Sequence, residues 1–316
     1  MAHMFQSGVF YGQSAWHGLG TTLEESDERR FSTDDTLCMA GACFDVHKIP
    51  QFVELNGEKV LTGAYATVRT DTGAILGTVG EKYTPLQNVD QFKWFQPFLD
   101  TKEVAFETAG VLKEGAIVWA LARILSGDGV VDVGGGDTIN KYLMTYTSHD
   151  GSLATGVMFA PIRTVCWNTL SMNLSSDVAK QLKVRHTKRQ ITTLNEIRET
   201  ISLMDREFQM TASQFQKLKR AVINKDDMVK YCKIVFECDR EDKVSTRLSK
   251  IIDRCVSMAM DGMGNSGESV WDAYNGITQW LTYERGSDGN RLHQNAFGPG
   301  AAINKRALDV AIQLAS

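Results

Sequence analysis

The residues best placed to do chemistry in this chain of 316 are cationic. Between 180 and 190 the sequence reads KQLKVRHTKRQ, with Lys180, Lys183, Arg185, Lys188, Arg189 and His186 and no acid. Like charges this close repel, so the run is costly unless an anion offsets it. One reading is a strand or loop that grips phosphate; the other is an exposed face balanced by acidic surface elsewhere. Upstream, PIRTVCWNTL at 161–170 runs from a strand towards a helix start near Trp167. Free amides at a helix start favour anions. Arg163 would neutralise phosphate beside Lys183, Arg185, Lys188 and Arg189. Trp167 and Tyr83 would stack bases, which needs no sequence-specific hydrogen bond. Asn168 and His186 would bond sugar or phosphate. The alternative for Trp167 is a place in the core.

Other motifs carry less. Ser148-His149-Asp150-Gly151 pairs two catalytic residue types, but neighbours on a strand face opposite ways, and a turn bonded to its own backbone fits as well. Gly262-Met-Gly264-Asn-Ser-Gly267 has dinucleotide-loop spacing but follows a helical pattern rather than a strand. A helix-to-helix connection is expected there. No Gly-Lys pair occurs, so there is no P-loop. Gly134-Gly-Gly136-Asp137 suits a hairpin turn. The six cysteines, at 38, 43, 166, 232, 238 and 255, lack zinc-knuckle spacing. They are expected to be reduced and to act as small apolar residues.

These groups need a scaffold, and the pattern supplies one. Apolar residues are 43% and charged residues 23%, which supports a globular core and excludes extensive disorder. Net charge is −4, but residues 180–230 hold 12 bases and 6 acids, leaving −10 for the rest. A globally basic nucleic-acid coat is excluded; a local basic patch is not. No stretch approaches about 18 uninterrupted apolar residues, so no membrane span is expected. MAHMFQSGVF shows no secretory signal pattern.

Residues 1–40 read as an arm, with a turn at WHGLG (16–20), a charged stretch at 24–30 and a helix start at Ser32. Residues 41–190 read as a β-rich core domain with the basic seam. FDVHKIPQFVEL and KVLTGAYATVRT flank Asn56-Gly57, a hairpin signal. Asp71-Thr-Gly73 turns the chain into AILGTVG. Asn88 would cap one short helix, VDQFKWFQPFL, with Phe92, Phe95 and Leu99 on one face. Lys113-Glu-Gly115 joins the next hairpin. From 191 to 316 the period is helical, with Leu194, Ile197, Ile201, Met204 and Phe208 opening a long amphipathic pattern. Strands first and helices afterwards predict an α+β fold with an antiparallel meander rich in hairpins.

WHGLG, RTDTGAILGTVGEKYTPLQN (69–88), ETAG (107–110), YTSHDGS (146–152), PIRTVCWNTL, VRHT (184–187) and AFGPGAAINKRAL (296–308) together resemble the uncharacterised phage/plasmid-like proteins. The likeness spans nearly the whole chain. It implies a protein of a phage, prophage or conjugative plasmid that works in the cytoplasm of a bacterial cell, and it carries no assigned activity. The order of elements is also similar to the single-strand annealing proteins of phages, the Red-beta, RecT and Erf groups. That likeness implies an ATP-independent annealing protein on single-stranded DNA, assembled as a homo-oligomeric ring or filament. No cofactor or metal enters this reading. One alternative is a metal-dependent hydrolase or nuclease using His149, Asp150, Glu107 and His186. Another is a structural or host-interaction phage protein.

Overall fold

A computed structural model describes residues 5–11, 21–23, 32–93, 95–125, 130–153, 155–159, 161–163, 194–239, 244–286, 291, 293–295 and 297–316. The fold is α+β, with antiparallel sheets in the N-terminal half and helices in the C-terminal half. The chain forms two compact units that interleave along the sequence. The first comprises residues 1–126, 143–158 and 176–201; the second comprises 127–142, 159–175 and 202–316. No helix among the described residues is long and apolar enough to cross a membrane.

In the first unit, β1 (Phe5–Tyr11), β2 (Thr21–Leu23), β6 (Val104–Leu112), β7 (Ile117–Ile124), β10 (Tyr142–Ser148) and β11 (Gly156–Phe159) form one sheet in the order β11-β10-β7-β6-β1-β2. β1 pairs antiparallel with β6 and parallel with β2. A second sheet is the meander β3 (Val46–Leu55), β4 (Glu58–Arg69) and β5 (Ile75–Val79). Asn56 and Gly57, at φ 53° and 81°, form the two-residue loop that matches strand twist. The distal part of β3–β4 extends beyond β5, and its apolar residues Phe52, Val53, Leu55, Val60 and Leu61 are exposed.

Helix α1 (Thr33–Met39) starts as the sequence predicts. Ser32 accepts from the Asp35 amide, and Asp35 accepts in return. The expected single helix after Asn88 is instead two, α2 (Asn88–Lys93) and α3 (Gln96–Asp100). Pro97, which has no N–H, stands in the first turn of α3. Phe92, Phe95 and Phe98 are all buried, and Phe106 packs on Phe95 at 5.1 Å. Asn88 does not cap. Its Nδ2 donates to the carbonyls of Ala42 and Phe44 at 3.0 and 3.2 Å.

The end of α1 overturns one expectation. Cys38 and Cys43 are joined by a disulfide, with Cα atoms 4.8 Å apart. Gly41, at φ 73°, reverses the chain. Its amide donates to Cys38 O at 3.0 Å, and the Ala42 amide donates to Leu37 O at 2.9 Å. This is the paired hydrogen bonding of a glycine-terminated helix. It swings Cys43 back beside Cys38. The loop so closed is short, so the bond stabilises by only about 2 kcal/mol in the chain-entropy picture.

In the second unit, β8 (Val130–Gly134), β9 (Asp137–Asn140) and β12 (Ile162–Arg163) form a sheet in the order β12-β9-β8. Gly134, Gly135 and Gly136 make the tight turn between β8 and β9, all at positive φ. Helices α4 (Leu194–Arg220), whose first residues to Ile201 belong to the first unit, α5 (Lys225–Val235), α6 (Thr246–Asp261), α7 (Val270–Tyr283) and α8 (Pro299–Leu314) follow. Asn224, Ser245 and Ser269 cap α5, α6 and α7 through side-chain oxygens. Val131, Val133 and Ile139 share one core with Phe208, Phe215, Tyr231, Trp271, Tyr274 and Ile277. Gly276 lets α6 and α7 approach closely, since a Cβ there would collide with Cys255 O and crowd Ala259. Gly262–Gly267 lies between α6 and α7, with a helix rather than a strand before it.

This core holds groups that resist ionisation. Burial, with Cys238 nearby, pushes the Cys232 thiol up to about 12. Burial also holds Tyr231 and Cys255 well above their ordinary values. The unfolded chain ionises these groups near their ordinary values, while the folded chain keeps them neutral. Their contribution is complete below about pH 9 and declines as pH rises from there towards 12. Melting followed by circular dichroism is expected to show a falling midpoint across that alkaline range, reversed on return to neutral pH.

Candidate functional site

Of the cationic and stacking residues singled out in the sequence, Trp167, Asn168, Lys183, Arg185, His186, Lys188 and Arg189 lie outside the described residues. Arg163 is described as backbone, in β12 paired to Ile139. Tyr83 lies in the first unit, half-buried, and its hydroxyl donates to Ser148 O at 2.8 Å. Burial, reinforced by Asp150, raises its pKa to about 12. The phenol therefore stays a neutral donor at neutral pH.

Tyr83 belongs to a polar cluster built from the segments 67–88 and 147–153. His149 is fully buried. Its Nε2 lies 2.8 Å from Asn88 Oδ1. Asn88 Nδ2 is already donating to two carbonyls, so Oδ1 accepts and His149 Nε2 carries the hydrogen. The His149 amide donates to Ala116 O at 2.7 Å, and its carbonyl accepts from Thr67 at 2.6 Å. Asp150 Oδ1 accepts from the Ser152 amide at 2.8 Å, closing the turn. Glu107 lies on β6 and pairs with Arg123 at 3.5 Å. Arg69 Nη1 donates to Glu114 O, its guanidinium forks onto Asp71, and it stacks on Phe44 at 3.8 Å. His149 and Glu107 thus tie neighbouring segments together through named partners, while Asp150 closes its own turn. Among the described residues, no three His, Cys, Asp or Glu side chains converge so as to hold a metal ion.

The arrangement with binding chemistry is elsewhere, in the helical unit. A groove of about 1180 Å³ is lined by residues of α6, α7 and α8, the ends of α5 and α7, and Gln294. Arg247, Lys250 and Arg254 fall on one face of α6, spaced three and four apart, as a helix requires. Arg285 joins them from the end of α7. Its neighbour, the buried Arg291, donates to Arg285 O and Gly286 O at 3.1 and 3.0 Å and so fixes that turn. Partial burial lowers the Arg285 pKa, the mark of a cation short of solvent. One carboxylate, Glu284, takes a forked pair from Arg254 at 2.6 and 2.9 Å. Among the described residues no carboxylate pairs with Arg247, Lys250 or Arg285. The apolar wall is Trp280, set edge-on against Phe236 at 5.6 Å, with Leu248, Ile251 and Ile303 beside it.

Four cations against one acid, next to an indole, make a site for an anionic ligand with a flat or apolar part. The i, i+3, i+7 spacing of Arg247, Lys250 and Arg254 was visible in the sequence, but the charge count centred on 180–230 passes it by. Arg285 and Trp280 join that face only through the packing of α7 on α6.

The fold and groove define an α+β protein with a cationic, aromatic-walled groove in its helical unit. The chain belongs to the family described as Domain of unknown function (DUF932), whose model matches residues 75–306. No curated protein and no solved structure matches the chain.

Proposed function

We propose that this protein binds single-stranded nucleic acid, without hydrolysing ATP, as an annealing protein of a phage or other mobile element. The observation that carries this reading is the groove, where Arg247, Lys250 and Arg285 stand without carboxylate partners among the described residues, beside Trp280. Cations that follow a backbone next to a stacking ring are what sequence-tolerant strand binding requires. Arg163, Lys183, Arg185, Lys188 and Arg189 are the further phosphate contacts in this proposal. Trp167 and Tyr83 are the further stacking groups, and Asn168 and His186 bond sugar or phosphate. A homo-oligomeric ring or filament would carry the contacts from one protomer to the next.

The test is fluorescence polarisation of a labelled oligothymidylate at several salt concentrations. With four phosphates neutralised, the slope of log affinity against log salt is expected near −3. The double variant Arg247→Glu/Lys250→Glu reverses two exposed charges and is expected to weaken binding at low salt by about tenfold or more. Its circular dichroism should match that of the parent. No measurable binding of the parent at low salt removes the proposal. Full binding by the double variant removes the groove from it.

A further inference from the structure

Cysteines occupy two environments in the described structure. Cys232, Cys238 and Cys255 are buried in the helical core, with burial holding the thiols of Cys232 and Cys255 in their neutral form. Cys38 and Cys43 are both exposed, and they are bonded to each other. We propose that Cys38–Cys43 is a reversible thiol–disulfide exchange site whose co-reactant is a low-molecular-weight thiol of the glutathione class.

Three observations carry this. The first is access: both residues lie at the surface, and exposed disulfides are the labile ones. The second is that the turn does not depend on the sulfur bond. Gly41 N to Cys38 O, Ala42 N to Leu37 O, Ser7 Oγ to Ala40 O and Asn88 Nδ2 to Ala42 O fix the backbone by themselves, at 2.8 to 3.0 Å. A Cβ on Gly41 would collide with Ser7, so the turn has little room to relax. Reduction therefore leaves the two Cα atoms about where they are, 4.8 Å apart, within disulfide reach. The third is loop length. The bond spans a sequence separation of 5 and crosses no other element, so losing it frees little of the unfolded chain. The pair is accessible, pre-aligned for re-closure, and of small consequence for holding the fold.

In the exchange, an incoming thiolate attacks one cysteine sulfur. The sulfur–sulfur bond breaks, and its electron pair leaves on the other cysteine. A second thiolate then attacks the mixed disulfide at the sulfur of the first small thiol, releasing the remaining cysteine thiolate. Two small thiols become one disulfide. The two protons they give up end on Cys38 and Cys43, so the protein gains two electrons and two protons.

The test incubates the folded protein with millimolar reduced glutathione, adds excess iodoacetamide at neutral pH while the protein is still folded, and maps the peptides by mass. Cys38 and Cys43 are expected to become alkylated together while Cys232, Cys238 and Cys255 stay unlabelled. Oxidised glutathione should restore the bond. The melting midpoint of the reduced protein should fall by less than about 10 °C. A pair that resists reduction in the folded protein overturns the proposal. So does labelling of Cys232, Cys238 and Cys255 along with Cys38 and Cys43, which would mean that reduction accompanies unfolding. The double variant Cys38→Ser/Cys43→Ser is expected to fold with unchanged circular dichroism; failure to fold makes the bond structural and also overturns the proposal.

Discussion

Trp271→Ala is expected to lower the unfolding free energy by about 3–5 kcal/mol, the range for emptying a large aromatic site in a packed core. Trp271 is fully buried. Its ring centroid lies 5.0 Å from that of Phe215 and 5.9 Å from that of Tyr274. Its indole N–H donates to Asp137 Oδ2 at 2.7 Å, and Asp137 is itself buried. Truncation removes the ring and also takes a strong donor from a carboxylate shut away from water. Trp271→Phe separates the two effects. It keeps most of the apolar volume and loses the donor, at an expected cost of about 1–3 kcal/mol. Urea unfolding of the parent and both variants, followed by circular dichroism, reads the difference. A loss below about 1 kcal/mol for Trp271→Ala would contradict the packing described for this unit.

The second large effect is an asymmetry between two halves of one ion pair. Lys141 is almost wholly buried, and its ammonium meets Asp205 Oδ1 at 2.9 Å, with the Phe208 ring 5.0 Å away. Asp205→Ala leaves that ammonium buried among apolar atoms without its carboxylate. The expected loss is about 2–3 kcal/mol, at or below the low end for a broken buried pair, because the Asp205 side chain is 35% exposed. Lys141→Met removes the charge together with the need for a partner. It is expected to change stability by less than about 1 kcal/mol, in either direction. The same unfolding titration checks both. Equal losses from the two substitutions would show that the ion pair itself stabilises the fold, since methionine keeps most of the lysine stem and removes only the charge.

Local chemistry was the legible part of this chain. Asn56-Gly57 announces its hairpin, and Ser32 announces a helix start. The change from an alternating to a helical period separates sheet from helix. What depends on distant partners could not be read. β1 joins β6 at a separation of roughly a hundred residues, and no local signal specifies that pairing. Asn88 has the residue type of a helix cap, but Ala42, Phe44 and His149 claim its side chain. The disulfide was half legible. Gly41 after a helical pattern is compatible with a reversing turn, but the expectation of reduced cysteines rests on their spacing and on the lack of a secretory signal pattern, and neither depends on where that turn sends Cys43. The groove follows the same rule: three of its cations share a helix face that spacing predicts, while its indole and fourth cation arrive with α7.

The interleaving of the two units bears on how the protein can be cut. A fragment beginning at Leu194 looks like a self-contained helical domain on the linear sequence. It would lack Val131, Val133 and Ile139, three members of the cluster that encloses Phe215 and Trp271, and also Asp137, the acceptor for the indole. Apolar faces stripped in this way become adhesive in water. Any dissection by deletion would have to graft the 127–142 hairpin onto the helices rather than sever the chain between them.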